Sequence, residues 1–422
     1  MKHAGTVCVI GAGPSGLTTI KALSERNIPC HCFEKDDRVG GLWTIGKGSG
    51  KTSAYRSLRI NTSRAKMQFS DFPIPETLPE YLHHTEVASY FESYTEHFGL
   101  ERHIRFDTEV TRAESAEGGR WKVTLAGGES RTYAALCVAN GHHTDPHWPT
   151  PAITGSFAGP EIHSRDYLDP NSPLALRGKR VLVVGMGNSA MDIACELAES
   201  GDCRVYLSAR RGAFILPKWV LGKPVDQSSL LPRFIPSAWR RRISERLLRF
   251  LVGRMEDHGL PKPDHGLGGA HPTISDDLLR LIAREGSDEG GRTDRERGCI
   301  VPKPAIKRFE GQTAYFNDES CTEVDAVVYC TGYNVRFPFF DDGFIHAPNN
   351  DLPLFMRVHK PGIDNLFFIG LCQTVGAVMP VAEAQARWVA DQLSGDYLLP
   401  DATSMSLHMA QERRELFAPR SG

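Results

Sequence analysis

The sequence predicts an α/β fold with two Rossmann-like units, and three observations predict it. Residues 7–10 form a short apolar run, as expected of a parallel strand that is buried on both faces. A glycine loop that reads Gly11-Ala-Gly-Pro-Ser-Gly16 follows, and after a helix-compatible stretch a second strand-like run leads to Glu34. The same order returns from residue 180 around a loop that reads Gly185-Met-Gly-Asn-Ser-Ala190. Strand, glycine turn, helix and strand make up a dinucleotide-binding unit, so we expect two such domains.

Length and composition are those of a multidomain globular protein. At 422 residues the chain is long enough for two or three domains. Hydrophobic residues make up 41% and charged residues 24% of it, as in soluble globular proteins. The formal net charge is −2, so no strong overall field favours nucleic acid or an anionic membrane. We therefore expect a small-molecule partner and no nucleic acid.

The ten cysteines include no Cys-x-x-Cys pair. Their spacing argues against a zinc site and against the redox pair of a disulfide reductase, and we expect no metal. Unpaired cysteines in a chain of this length predict reduced thiols and a cytoplasmic protein. No apolar run approaches the roughly 18 residues that would span a bilayer. Residues 7–10 run directly into the first glycine loop, so we expect a strand there and no signal peptide.

The first loop (residues 11–16) has the pattern that holds a pyrophosphate. Gly11 permits the tight turn, Gly13 lets the backbone approach the phosphates, and Gly16 allows close packing of helix on strand. Glu34 is then placed to accept a hydrogen bond from a ribose 2'-hydroxyl, which requires an unphosphorylated ribose. FAD satisfies that requirement and NADP does not. The expected FAD contacts from this unit are Gly11, Ala12, Gly13, Pro14, Ser15, Gly16, Glu34 and Lys35.

The second loop (residues 185–190) is followed by arginine where the first unit has an acid. A guanidinium at Arg210 can pair with a 2'-phosphate, which predicts NADPH rather than NADH. Such a charge-assisted contact contributes ~1.5 to 3 kcal/mol, roughly a ten- to hundredfold preference. The alternative is that Arg210 only solvates the strand end. The expected NADP contacts are Gly185, Gly187, Asn188, Ser189, Ala190, Arg210 and Arg211.

The predicted organisation is discontinuous. Two further strand-like runs, residues 135–139 and 325–329, end in glycine-containing turns, and we expect both to return to the first unit. The FAD-binding domain would then comprise residues 1–165 and 320–422. The NADPH-binding domain would comprise residues 166–319, with a helical insertion at about 214–275.

A spacer between the two loops carries a further signal. Residues 157–167 fit the pattern Phe-x-Gly-x-x-x-His-x-x-x-Tyr at Phe157, Gly159, His163 and Tyr167. This pattern resembles the identifying sequence of the flavin-containing monooxygenases. The resemblance covers nearly the whole chain, continuing through residues 38–43, 55–75, 330–333, 365–371 and 382–388.

The resemblance implies roles near the flavin for several residues. Asn61, in an Asn-Thr-Ser run, matches the family's asparagine beside the flavin ring, and it is our candidate catalytic residue. Its amide can donate to a peroxide oxygen and accept from the flavin or the nicotinamide ribose. On local sequence alone, a turn or capping role is the alternative. The other implied FAD contacts are Gly41, Leu42, Trp43, Thr62, Val110 through its backbone, and Gln373.

The spacer motif itself offers no evident acid–base chemistry. We expect His163 to be a structural histidine that fixes the crossing between the two domains. The family also differs from this chain at three places: Asn140 where threonine is usual, Cys330 where alanine is commoner, and a polar stretch at residues 287–297.

The activity that the resemblance implies is that of a FAD monooxygenase using NADPH and O2. Reduced flavin would form a C4a-hydroperoxyflavin, which transfers one oxygen atom to the nitrogen or sulfur of a small nucleophile, and the protein would exclude water from it. The alternatives are a Baeyer–Villiger monooxygenase acting on ketones, an uncoupled NADPH oxidase and a catalytically silent nucleotide-binding protein. Tyr167 at the end of the spacer favours the N- or S-oxygenating enzyme.

Residues 239–252 predict a basic amphipathic helix. Apolar residues recur at fourth positions opposite an arginine-rich face, namely at Trp239, Ile243, Leu247 and Leu251. Such a helix either covers a core, here as a roof over the substrate entrance, or lies on a membrane surface. We expect the first of these. The sequence leaves a homodimer open.

Overall fold

The computed structural model describes residues 5–45, 53–199, 202–227, 235–270, 273–282, 299–345, 347–372, 374 and 376–417. This part of the chain contains two five-stranded parallel sheets. In each sheet, one strand leads directly into a glycine loop: Val7–Ile10 in the first and Arg180–Val184 in the second. The predicted α/β class with two Rossmann-like units is confirmed.

The first sheet lies between two cores. Its strand Val7–Ile10 sends Val7 and Val9 into one core and Cys8 and Ile10 into the other. This explains the continuous apolar run, because both faces of the strand are buried. In spatial order the strands are Leu366–Phe368, Ala135–Val138, Val7–Ile10, Cys30–Phe33 and Ile104–Arg105.

Helices cover one face of the first sheet and an antiparallel sheet covers the other. The helical core takes side chains from Pro14–Glu25, His84–His97 and Met379–Ser394. The opposite core takes Val110, Trp121 and Tyr133 from the antiparallel strands, which are Val110–Ala116, Arg120–Leu125 and Ser130–Tyr133.

The second sheet repeats this plan. One face packs on the helix Asn188–Glu199, and the other packs on the strands Ile306–Gly311 and Thr313–Phe316. That outer sheet is completed at its two edges by Thr154–Phe157 and Cys321–Glu323. In spatial order the strands of the second sheet are Glu161–His163, Ala326–Tyr329, Arg180–Val184, Arg204–Ser208 and Cys299–Lys303.

One expected strand lies in the other sheet. The strand Ala326–Tyr329 pairs with Arg180–Val184, so the prediction that residues 325–329 return to the first sheet is wrong. The strand that does return is Leu366–Phe368, beside Ala135–Val138. A short apolar strand has the same pattern in either sheet, and long-range packing decides which one it joins. The proposed domain boundaries stay a prediction.

The helix Ser237–Val252 exposes much of its apolar side. The exposed fractions of Trp239, Ile243 and Leu251 are 58%, 37% and 42%, so the expectation that this row covers a core is wrong. Leu248 of this helix is buried. A role as a roof or on a membrane surface stays a prediction.

The remaining elements are short, except for one long helix near the end of the described chain. The α-helices are Arg64–Met67, Leu278–Leu281 and Ala402–Phe417, and the 3-10 helices are Gly41–Trp43, Glu101–His103, Glu117–Gly119, Met255–His258 and Pro348–Asn350. Three two-stranded pairs are Ile215–Leu216 with Thr273–Ile274, Trp219–Val220 with Lys223–Pro224, and Asp145–Pro146 with Tyr333–Asn334. No helix among the described residues has the length and apolar character needed to cross a membrane.

Candidate active site

The first loop is enclosed by backbone. Gly11 has φ +99°, and a Cβ there would lie 2.7 Å from the carbonyl oxygen of Ala139. A Cβ on Gly16 would overlap the carbonyl oxygen of Gly11. The helix Pro14–Glu25 begins with no side-chain cap, so its first N–H groups face the loop without a protein acceptor from a cap. This arrangement fits an anionic group at the helix N-terminus.

Glu34 is held against this loop. Its Oε2 accepts from the Ala12 N–H at 2.6 Å, and its Oε1 accepts from the Asp36 N–H at 3.0 Å. Burial raises the pKa of Glu34, which is 5% exposed. Each carboxylate oxygen has a second lone pair, so the group can also accept from a ribose hydroxyl. The sequence placed Lys35 in the same site, but its side chain is exposed.

Val110 and the 3-10 helix Gly41–Trp43 also lie close to the first loop. The Thr108 N–H donates to the Glu34 carbonyl at 2.8 Å, which brings the buried Val110 to this end of the sheet. A Cβ on Gly41 would lie 3.2 Å from the Cα of Gly13, and the Gly40 N–H donates to the Ala12 carbonyl at 3.2 Å. Leu42 packs against the first core and Trp43 is buried.

The chain just before Asn61 is joined to the 3-10 helix Gly41–Trp43 through His84. The His84 ring Nδ1 lies 3.2 Å from the Trp43 carbonyl oxygen, and the His84 N–H donates to the Leu58 carbonyl at 2.9 Å. The neighbouring Ile60 N–H donates to the Leu82 carbonyl at 2.9 Å. The structure therefore brings the chain around Asn61 and the buried Thr62 to the same end of the first half as the first loop.

Two amide oxygens in this region are buried without a hydrogen-bond partner. They belong to Asn61 and Asn140, in the part of the chain that the structure describes. Asn140 lies beside the first loop, because a Cβ on Gly11 would be 3.4 Å from its Cα. An unsatisfied buried oxygen costs ~1 to 3 kcal/mol, so a bound group with N–H or O–H donors would stabilise both. The flavin ring and the ribityl chain of FAD carry such donors, and the site fits this cofactor.

The second loop is more open than the first. Gly185 has φ +139°, and a Cβ there would overlap the carbonyl oxygen of Cys330. A Cβ on Gly187 would meet nothing within 4 Å. Asn188 Oδ1 accepts from the Ile274 N–H at 2.8 Å, so this side chain fixes the loop to the chain opposite. Of the last two residues of the loop, Ser189 is half-buried and Ala190 is buried.

The two arginines after the next strand differ in their partners. Arg211 forms an ion pair with Asp264, with Nε and Oδ2 2.6 Å apart. Arg210 is exposed and has no ion pair within the described ranges. Arg210 is therefore the arginine that is free to meet a 2'-phosphate.

The spacer, residues 157–167, makes packing contacts and hydrogen bonds within the second half. A Cβ on Gly159 would lie 2.6 Å from the ring of Phe157, and the strand Glu161–His163 forms the edge of the second sheet. Burial lowers the pKa of His163 to about 4, so its imidazole is neutral near pH 7. The Tyr167 hydroxyl donates to Glu196 at 2.8 Å. These contacts support a structural rather than an acid–base role.

Sequence reasoning missed the links between the halves, among them two on the chain that flanks Asn61. The Tyr55 hydroxyl donates to Asp192 Oδ2 at 2.5 Å, and the Ser63 N–H donates to Asp226 Oδ2 at 2.7 Å. A carboxylate within the apolar run of the helix Asn188–Glu199 was the available signal for Asp192, since buried charges need partners. Gln373 and residues 287–297 lie outside the described residues.

Comparison with known proteins gives one consistent family. A sequence model of flavin-binding monooxygenase-like proteins matches residues 4–420. The chain is 35% identical to flavin-containing monooxygenase 5 of Rattus norvegicus over 430 residues, covering 97% of this chain and 77% of the rat protein.

Two solved structures share the fold. S-allyl-L-cysteine S-oxygenase from Allium sativum has a TM-score of 0.70 at 24% identity, covering 97% of this chain and 82% of that one. An open structure of cyclohexanone monooxygenase has a TM-score of 0.69 at 18% identity, covering 98% of this chain and 93% of that one.

Proposed function

The chain belongs to the flavin-binding monooxygenase-like family and is a flavin-dependent monooxygenase with FAD and NADPH as cofactors; from that premise we propose that it oxygenates the soft nitrogen or sulfur of small molecules. The relationship to flavin-containing monooxygenase 5 covers nearly the whole chain and supports this class. The S-oxygenase from Allium sativum shares the fold and makes sulfides sensible first substrates. A cytoplasmic location stays a prediction from the unpaired cysteines.

The first loop, Glu34, the helix Gly41–Trp43 and Asn61 are the proposed FAD site. One observation carries this assignment. The Oδ1 of Asn61 is buried without a hydrogen-bond partner, at the same end of the first half as the first loop and the uncapped start of the helix Pro14–Glu25. Bound FAD supplies the activation of dioxygen after reduction by NADPH. The Asn61 amide would orient its partners by donating through Nδ2 and accepting through Oδ1. The buried residues around it would exclude water, which favours oxygen transfer over release of hydrogen peroxide.

The second loop and Arg210 are the proposed NADPH site. The open space at Gly187 admits a pyrophosphate at the start of the helix Asn188–Glu199. Arg210 would pair with the 2'-phosphate, while Arg211 is shared with Asp264.

A Baeyer–Villiger monooxygenase is the second candidate. The observation that favours it is the shared fold with cyclohexanone monooxygenase. An uncoupled NADPH oxidase would contain the same two cofactor sites.

Oxygen uptake with product analysis distinguishes these candidates. The purified holoenzyme is supplied with NADPH and a tertiary amine, a sulfide or a cyclic ketone. N-oxide or sulfoxide formed in proportion to NADPH consumed supports the proposal. Lactone with neither of those products supports the Baeyer–Villiger enzyme, and hydrogen peroxide alone supports the oxidase.

Asn61→Ala tests the catalytic assignment. Removing a preorganised polar group of this kind costs on the order of 10²-fold in oxygenation, and hydrogen peroxide per NADPH should rise accordingly. Asn317→Ala, at an exposed asparagine, is the control and should oxygenate normally. Normal coupling in Asn61→Ala would remove Asn61 from the proposed mechanism.

A further inference from the structure

The segment that carries Asn61 is anchored in the second half of the molecule. We call residues 53–63 the strap. Tyr55 is 3% exposed and belongs to the core of the second sheet, where its ring lies 6.4 Å from that of Tyr167. Its hydroxyl donates to Asp192, and the next residue, Arg56, donates its N–H to the Leu168 carbonyl at 2.9 Å. The start of the strap is therefore part of the second half, although its sequence position belongs to the first.

The other end of the strap is held by the second half as well. The Ser63 N–H donates to Asp226, and Gln227 Nε2 donates to Ser63 Oγ at 2.9 Å. The strap is also bonded to the first half: the Leu58 carbonyl accepts from the His84 N–H, the Ile60 N–H donates to the Leu82 carbonyl, and the Arg56 carbonyl oxygen lies 2.7 Å from His83 Nε2. Leu58 packs against both cores. Asn61 thus lies on a strap whose position depends on both halves.

Asp192 connects the strap to the second loop. It lies one turn into the helix Asn188–Glu199, whose N-terminus is the proposed pyrophosphate site. Asp192 accepts the Tyr55 hydroxyl at 2.5 Å, and Glu196 of the same helix bonds Ser57, so a displacement of this helix on NADP binding would act directly on the strap. Tyr55 is six residues from Asn61, and the intervening residues have few places to absorb such a displacement because they are bonded on both sides.

We propose that Tyr55 and Asp192 are positioning residues that couple occupancy of the second loop to the placement of Asn61. This inference rests on the proposed NADPH site. It assigns to the pair a function beyond core packing: NADP bound at the second loop orders the strap, and so sets the Asn61 amide for oxygenation. Coupling of this kind is a free energy shared between two sites, so it is measurable from the binding side without turnover.

A second tyrosine bonded to the helix Asn188–Glu199 provides a matched control. The Tyr167 hydroxyl donates to Glu196, which lies one turn beyond Asp192 on the same helix. Tyr167 is 1% exposed and lies in the same core as Tyr55. Tyr55→Phe and Tyr167→Phe therefore remove the same chemical group from the same core and helix. They differ in that Tyr55 is part of the strap, whereas Tyr167 lies outside it and Tyr167→Phe leaves the bond between Glu196 and Ser57 in place.

The test is amide hydrogen exchange of the FAD holoenzyme with and without NADP+, combined with calorimetric titration of NADP+. The reporters are the amides of Leu58, Ile60 and Ser63, which are hydrogen-bonded in the strap. In the wild type, NADP+ should slow their exchange about fivefold, the lower end of usual coupling. Tyr55→Phe should lose this slowing and release more hydrogen peroxide per NADPH, and Tyr167→Phe should retain the wild-type behaviour. Asp192→Asn keeps an acceptor for the hydroxyl and should retain most of the slowing, whereas Asp192→Ala should lose it.

The outcomes separate the inference from the proposed function. Full NADP+-dependent slowing in Tyr55→Phe, or equal loss in both phenylalanine variants, overturns the coupling while leaving the NADPH site intact. No binding of NADP+ to the wild type overturns the proposed second site, and the coupling with it.

Discussion

The two glycine loops share a backbone plan and differ in their surroundings. In each, the first glycine faces a carbonyl oxygen at the end of the neighbouring parallel strand, that of Ala139 for Gly11 and that of Cys330 for Gly185. The first loop is closed further by Gly41 and by a buried Glu34. The second is open at Gly187, and exposed arginines follow it.

This difference fits the cofactors that we propose for the two loops. FAD remains bound through many turnovers, and an enclosed loop with a buried carboxylate suits a permanent cofactor. NADP is exchanged in every cycle, and an open loop with exposed arginines suits a cofactor that must leave. On the proposed assignment, the same supersecondary unit would serve both purposes through changes at a few side chains.

The last position of the glycine pattern, residue 16 in the first loop and residue 190 in the second, offers the test with the largest expected effect. A methyl group at Gly16 would overlap the Gly11 carbonyl oxygen, whereas the matching position in the second loop is already Ala190. Gly16→Ala should purify without flavin, since backbone would have to move. Ala190→Gly should keep NADPH binding and lose only about 1 kcal/mol of stability. Absorbance at the flavin band and thermal unfolding measure the two effects, and a normal flavin content in Gly16→Ala would contradict the enclosed geometry.

The arginine that follows the second loop offers the next test. Arg210→Ala should lower the ratio of NADPH to NADH efficiency by roughly ten- to a hundredfold, because the 2'-phosphate loses a charge-assisted bond. Steady-state kinetics with both cofactors measure the ratio. An unchanged ratio would show that Arg210 only solvates the strand end.

The helices that follow the two glycine loops differ at one matching position, and this difference predicts an effect of pH on stability. Thr18 of the first helix bonds to its own helix at the Pro14 carbonyl, while the matching Asp192 reaches Tyr55. Burial raises the pKa of Asp192 to about 6, against the opposing effects of Tyr55 and Lys218 and together with Glu196 and Asp277. Because the folded state holds this proton more tightly than the unfolded state, the group's contribution to stability is greatest at low pH and falls as the pH rises through 6.

Asp192→Asn should remove this dependence. From pH 5 to pH 8 the variant should gain about 1.5 kcal/mol of unfolding free energy relative to the wild type. Denaturant unfolding at several pH values measures it. A constant difference between the two proteins would mean that Asp192 does not titrate in this range.

Arg211 should give the smallest effect. Its ion pair with Asp264 is exposed, and such pairs contribute little. Arg211→Ala should change the NADPH preference by roughly two- to fivefold, below the effect of Arg210→Ala. An equal effect of the two variants would contradict the division of roles between the arginines.

Local pattern was enough to predict both loops, their strands and helices, and the acid or arginine that follows each. These features are contiguous, and their spacing is set by the geometry of one strand, turn and helix. The sheet to which residues 325–329 belong could not be read in this way, since a short buried strand looks alike in both sheets.

Contacts between distant residues were also beyond local pattern. Tyr55 and Asp192 are 137 positions apart, as are Tyr81 and Lys218, whose carbonyl oxygen accepts a hydrogen bond from the Tyr81 hydroxyl. Arg211 was predicted with Arg210 as an NADP contact, and its partner Asp264 depends on how the following loop folds back. Such pairings arise from tertiary packing and leave no periodic signal.

The order of strands in the two sheets has a consequence for synthesis of the protein. The second sheet is complete once the strand Ala326–Tyr329 has been made, but the first sheet requires Leu366–Phe368. Domains generally fold as units while the chain emerges from the ribosome. The half that begins first therefore finishes last, and although Val7–Ile10 has both of its neighbours once Ala135–Val138 is made, the first sheet waits through most of translation for its edge strand, Leu366–Phe368. Nascent chains of this enzyme would be able to assemble the second sheet before the first sheet, and with it the proposed flavin site, is complete.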